Sequence, residues 1–298
     1  MGKHHSPENK KMEVEYYLEN KYTEDEIAKL FKAQAQAQAQ AQALSIMPEK
    51  KILITYVYFE NMRSIKNINF FIKNGVFYNN NVQYNFIIKG NKCSVKFPDY
   101  KNIKVYKMKN EGYDFGGYSY SIQMINKNTF DYYIFLNDTT LGPFVPRFNS
   151  KNTWYENFIS LISDKVKLVG PTINRKQYNN ILEHVQSMAF GTDNIGLELL
   201  IENNIFNLEN NIKIYETKGK FEFILNFEVG MSGIIMKNGY EISSFMQSDN
   251  YYKKLEHGDI HNTNKYFGIT LNPVEIMFIK NNRIKDLITE RYIHWNSF

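Results

Sequence analysis

One cysteine, Cys93, stands alone in 298 residues, so the chain closes no internal disulfide and suits a reducing compartment. No stretch approaches the ~18 consecutive apolar residues of a membrane span. The opening residues, Met1 to Met12, are polar and carry no apolar h-region, so no secretory signal is expected. Concentrated charge is missing too. Lys and Arg total 36 against 31 Asp and Glu, a net charge of +5 spread along the chain. That leaves no basic stripe of the kind that binds nucleic acid. What remains is 43% hydrophobic, with 22 Tyr and 22 Phe. Such a composition excludes a mainly disordered chain and supplies the core of one large domain or two small ones.

Asparagine is abundant, at 37 residues. Asn, Ile, Lys, Tyr and Phe share A/T-rich codons, so a single Asn or Lys carries little weight. Fixed constellations carry more.

Residues 1–50 differ from the rest. Thr23-Glu24-Asp25-Glu26 reads as a capping box, and Ile27, Leu30 and Phe31 follow at helical spacing. A strict Ala-Gln alternation then runs from Ala33 to Ala43. Both residues favour helix over strand, which predicts a continuous helix over 23–44, stopped by Pro48. It serves either as a spacer or as a surface for weak self-association.

From Lys51 onward, β-rich apolar runs alternate with helical patterns. Strands are expected at 51–58, 83–89, 103–108, 132–136 and 166–169, and helices at 62–73 and 118–126. Phe221 to Phe227 reads as a further strand-like run. This order predicts an α/β fold, a Rossmann-like mixed sheet with helices on both faces and an N-terminal helical extension. Ligands of such sheets sit at the carboxyl ends of the strands.

Two strand ends carry candidate chemistry. The third strand runs into Asn110-Glu111-Gly112-Tyr113-Asp114-Phe115-Gly116-Gly117. Glycines ahead of a helix expose N–H groups that can meet an anion, and Asp114 can accept from ribose hydroxyls or a base N–H. The alternative is a plain turn. The fourth strand ends in Asn137-Asp138-Thr139-Thr140-Leu141-Gly142-Pro143. Asp138 there suits a hard cation such as Mn²⁺ or Mg²⁺, or else the segment is an Asx-turn. Thr55 and Tyr56, read at the end of the first strand, can bond to or stack on a nucleobase, or pack in the core. His184, in an apolar setting, reads as a core histidine. His257 and His261, four apart, are an imaginable metal pair.

Together the two loops resemble glycosyltransferases of the rhamnan-synthesis type and related proteins of large DNA viruses, which carry N-x-G-x-DFG(G/A) and then ND(S/T)xxGP. Residues 166–174 (VKLVGPTIN) and 184–193 (HVQSMAFGTD) resemble later segments of that group. Glu228 to Ser232 followed by Gly239 to Ile242, and the close LNPVEIMFIKNNR at 271–283, resemble motifs of family 2 glycosyltransferases. The resemblance implies a GT-A-like domain over 51–298, with a nucleotide-sugar half at 51–165 and an acceptor half at 166–298. It implies transfer of a hexosyl or deoxyhexosyl unit from a UDP- or GDP-type donor to a glycan or protein hydroxyl, assisted by Mn²⁺ or Mg²⁺. A cytoplasmic location, the host's if the protein is viral, goes with it. Asp138 becomes the metal ligand, and Lys280 and Arg283 the cations facing the diphosphate. Glu228 becomes the general base, with Asp193 second. The chain departs from the pattern twice: the Asp-x-Asp positions hold Asn137 and Thr139, and Val229 follows Glu228 where a second acid belongs. A nucleotide-sugar-binding module without catalysis and a helix-tethered structural protein are the competing readings.

Overall fold

Every residue of β1 (Ile52–Phe59) but the last is buried. Its alternate side chains enter different cores. Leu53 and Val57 join one cluster, while Ile54, Tyr56 and Tyr58 join the other. A strand covered on both faces reads as an unbroken apolar run, which is why these strands were legible.

The computed structural model describes residues 49–126, 129–146, 153–174, 182–246, 259–266, 268–284 and 287–295. The helix expected over 23–44 and His257 lie outside them. Residues from Lys50 onward form one compact unit. After β1 come α1 (Met62–Gly75), β2 (Val82–Lys89), β3 (Ile103–Met108), α2 (Tyr113–Gln123), β4 (Tyr132–Asn137) and β5 (Thr140–Leu141). Next are α3 (Glu156–Ile159), β6 (Val166–Gly170), β7 (Ile173–Asn174), β8 (His184–Val185), β9 (Ala189–Asp193), α4 (Asn194–Glu202) and α5 (Leu208–Thr217). The chain closes with α6 (Lys220–Phe223), a π-helical turn (Ile224–Val229), α7 (Gly230–Lys237), β10 (Glu241–Ser244), α8 (Pro273–Ile276), β11 (Ile279–Lys280) and α9 (Leu287–Trp295). None of the helices among the described residues is long and apolar enough to cross a membrane.

Seven strands form one sheet in the order β10-β6-β9-β4-β1-β2-β3. β9 is antiparallel to both its neighbours, and the other pairings are parallel. The fold is therefore α/β with a mostly parallel sheet flanked by helices, as expected. Strand order runs one way from β1 to β3 and then jumps to the other side of β1 for β4. That reversal opens a crevice outside the carboxyl ends of β1 and β4. The expected halves at 51–165 and 166–298 share this sheet, because β6, β9 and β10 extend it.

Two elements differ from the sequence reading. α2 begins at Tyr113 rather than near 118, so Gly116 and Gly117 are helical and not in a loop. A Cβ on Gly117 would stand 2.5 Å from Val57, and one on Gly116 would stand 2.6 Å from the Glu111 carbonyl. These glycines let the helix lie against β1 and its own entry turn. Residues 221–227 are helical rather than extended. Phe223, Phe227, Met231 and Ile235 are all buried, on the i, i+4 ladder of a helix.

Candidate active site

Asp138 sits where β4 gives way to the turn before β5, at the crevice. Its Oδ2 accepts the Phe59 N–H at 2.8 Å, joining the carboxyl ends of β1 and β4. The Asx-turn is present as well, but Asn137 makes it: its Oδ1 accepts from Thr139 N at 3.0 Å and Thr139 Oγ1 at 2.6 Å. Asn137 thereby holds the turn and leaves Asp138 for other work. Asn137 also donates from Nδ2 to Asp114 Oδ2 at 2.6 Å, bringing the two motif loops into contact.

Asp114 lies in the first turn of α2, after the left-handed Gly112. Burial raises its pKa, with Lys89 and the Asn137 bond pulling the other way. Burial first, and Asp114 second, push Asp138 up to about 7. Lys89, the last residue of β2, is buried behind the acidic pair and donates to the Tyr113 carbonyl. Burial pushes its pKa down to about 8 against the pull of Asp114, Asp138 and Glu111.

Across a pocket of about 200 Å³ from Asp114 stands Glu228, with Lys280 and Arg283 on the same lining. Glu228 projects from the π-helical turn, not from a strand end. Such turns are rare and recur at functional sites. Its Oε2 accepts from Ser187 N at 2.8 Å and Ser187 Oγ at 2.5 Å, and Oε1 lies 3.9 Å from His184 Nε2. Burial pushes this carboxyl up, but Lys280, the Ser187 donors and His184 outweigh it and hold it below the ordinary value. Lys280 in β11 and Arg283 in the following turn both face Asp259, Lys280 at 3.9 Å.

Several expectations are corrected. Thr55 and Tyr56 lie mid-strand and do not reach the crevice. Thr55 Oγ1 bonds Ser121 Oγ at 2.7 Å, fastening α2 to β1. Tyr56 is 2% exposed and stacks on Phe71. Asp193 lies at the far end of the sheet, opposite Tyr132 at the start of β4. There it pairs with Lys167 at 2.6 Å and caps α4 through Gly196 N. That is structural work, and the pocket's geometry removes Asp193 as a base. Asn110 is exposed in the turn and Gly116 lies close against the Glu111 carbonyl, and neither is among the residues that line the pocket. Gly112 supplies the positive φ (68°) that starts α2. His261 is wholly buried, with Nε2 2.9 Å from Thr172 Oγ1.

Lys89, Ser187 and Asp259 were not foreseen. Lys89 had a signal, since it ends an apolar strand as Asp138 does. Ser187 had none, because its role depends on a fold that brings residue 228 beside it.

Among the described residues no three His, Cys, Asp or Glu side chains converge on a common point. Mg²⁺ and its kin need less, binding through one or two carboxylates together with waters and substrate phosphates. Asp114, on the pocket, and Asp138, near enough for the Asp114 charge to raise its pKa, supply the one or two carboxylates of that lesser demand. Comparison with known protein families and with curated proteins finds no match to this chain.

Proposed function

We propose that the protein is a glycosyltransferase that moves a sugar from a nucleoside-diphosphate donor to a hydroxyl acceptor. One observation carries the reading. A single pocket at the sheet's switch point is lined by Asp114, Glu228, Lys280 and Arg283 together with Asn137, whose next residue is Asp138. Nucleotides bind at such crevices in open α/β sheets. Lys280 and Arg283 supply charge for a diphosphate. Asp138 and Asp114 would hold Mn²⁺ or Mg²⁺, which when bound neutralises charge on the leaving diphosphate. Glu228 faces the same space as an ionised carboxylate, able to stabilise positive charge developing at the sugar and to take the acceptor's proton. The motif resemblance of residues 110–117 and 137–143 points the same way and extends the reading to a GT-A-like domain.

One observation favours the binding-module reading. A general base works best with a pKa near the operating pH, and Glu228 is held low by Ser187, Lys280 and His184. A screen of UDP-, GDP- and TDP-sugars separates the two. Release of free nucleoside diphosphate supports the enzyme. Donor binding without turnover supports the module, and neither refutes both.

A further inference from the structure

A second cavity, of about 290 Å³, opens at the other end of the sheet. It is lined by Lys51 ahead of β1, Tyr78 and Asn80 ahead of β2, Gln83 within β2, and Lys101 ahead of β3. These three strands are parallel, so the cavity gathers their amino ends, and β1 carries the chain away from it toward Asp138. The eight residues of β1 put the two sites about 25 Å apart, at ~3.3 Å per residue. Among the described residues no Asp or Glu lines the cavity. Neither lysine side chain pairs with a described carboxylate. Asp131 accepts from the Lys51 backbone N–H at 2.7 Å and stands outside the lining. Tyr78 is 55% exposed, yet its ring is held in place. Its hydroxyl donates to Asn80 Oδ1 at 2.8 Å, and its ring centroid lies 6.3 Å from that of Tyr100. Asn80 keeps its Nδ2 hydrogens to donate. Gln83 donates from Nε2 to Asn85 Oδ1 at 2.8 Å and keeps a carbonyl oxygen to accept.

Each part of the lining selects a chemistry. Two ammonium groups without an acidic neighbour on the lining favour an anion. Side-chain amides suit hydroxyl groups, which both donate and accept. A fixed, exposed ring offers a flat apolar face to the C–H groups of a sugar ring. The volume lies near the ~300 Å³ floor of small-molecule sites, which suits a ligand of about one ring. We propose that this cavity is a second ligand site and that it takes a sugar ring bearing an anionic group, either a phosphate ester or a uronate carboxylate. The site stands apart from the Glu228 pocket and does not depend on the glycosyltransferase reading.

The test titrates the full chain by calorimetry with glucose 1-phosphate, glucuronate, glucose and inorganic phosphate. The wild type should bind at least one of the two charged sugars, and should hold glucose about tenfold and phosphate about threefold less tightly. A variant with both Lys51→Gln and Lys101→Gln should lose about tenfold of that binding, since an exposed ion pair is worth up to about fivefold. Tyr78→Ala should lose about threefold. Arg283→Gln, in the other pocket, should bind as the wild type does. The lysine variant replaces no buried group, so it stands as the test even where Tyr78→Ala unfolds earlier. Binding of glucose 1-phosphate alone supports a free sugar phosphate as the ligand, and binding of glucuronate supports an acidic residue of a glycan. Three results overturn the proposal: neither charged sugar bound, glucose or phosphate bound as tightly as the charged sugar, or binding unchanged in the lysine variant. Binding lost in Arg283→Gln and kept in the lysine variant overturns it too, because the ligand then sits in the Glu228 pocket.

Discussion

Glu228 shows how a single side chain takes its properties from its neighbours. Its carboxyl is held below 4.5 by contacts that exist only in the folded chain. A depressed carboxylate contributes stability above its unfolded pKa and loses it as pH falls through the folded value. Glu228→Gln should therefore unfold at a lower temperature than wild type at pH 7, and the gap should close as pH drops below 4.5. A gap that stays constant across that range would show that the charge contributes nothing. The same variant should lose about 10²-fold or more in donor turnover if the carboxylate works as a base. His261 behaves differently. Burial, and then Lys280, push its pKa down to about 3 from 6.5. The unfolded chain binds that proton first, so stability should fall as pH drops from 6.5 toward 3. Unfolding temperatures of His261→Gln should fall less steeply over that window; equal slopes would contradict the assignment.

Helix α2 owes its place to glycine. Gly117→Ala would put a methyl 2.5 Å from Val57 and should cost about 1–3 kcal/mol in denaturant unfolding, as overpacking does. Gly233 in α7 has nothing within 4 Å of its missing Cβ. Gly233→Ala should stabilise by about 0.5–1 kcal/mol through helix propensity alone. Equal effects at the two positions would show that close packing is not why Gly117 is glycine. The same elements mark what sequence alone discloses. Strands β1, β2 and β4 were legible because burial on both faces leaves an apolar run. The helix after residue 219 was not, because Phe221 to Phe227 is aromatic enough to pass for a strand. Its i, i+4 ladder emerges only when the reading continues to Ile235. That the Asp114 and Asp138 loops adjoin was legible, because both follow strands whose carboxyl ends meet at one crevice, and the Asn137–Asp114 hydrogen bond joins them. Tyr56 and Asp193 were misplaced because neither depth within a strand nor the direction of β9 is written in local pattern.

At the scale of the molecule, the pocket is assembled from elements inside and outside the main sheet. The first turn of α2 and the end of β4 bring Asp114 and Asn137, while the π-helical turn, β11 and the turn after it bring Glu228, Lys280 and Arg283. The unit from Lys50 onward closes its own core. A chain beginning at Lys50 should fold and unfold cooperatively and keep whatever donor turnover the full chain has. Insoluble or molten product would show that residues 1–49 complete the core. The central claim is a nucleotide-sugar site built on Asp138. Asp138→Asn keeps an oxygen for the Phe59 N–H and removes the hard anionic ligand. The deciding measurement is donor hydrolysis by wild type and Asp138→Asn, each with Mn²⁺ and with chelator. The account predicts Mn²⁺-stimulated turnover in wild type, and its loss in a variant that unfolds no more than a few degrees earlier. Turnover and metal response unchanged in Asp138→Asn, or no turnover of any UDP-, GDP- or TDP-sugar by folded wild type, would contradict it.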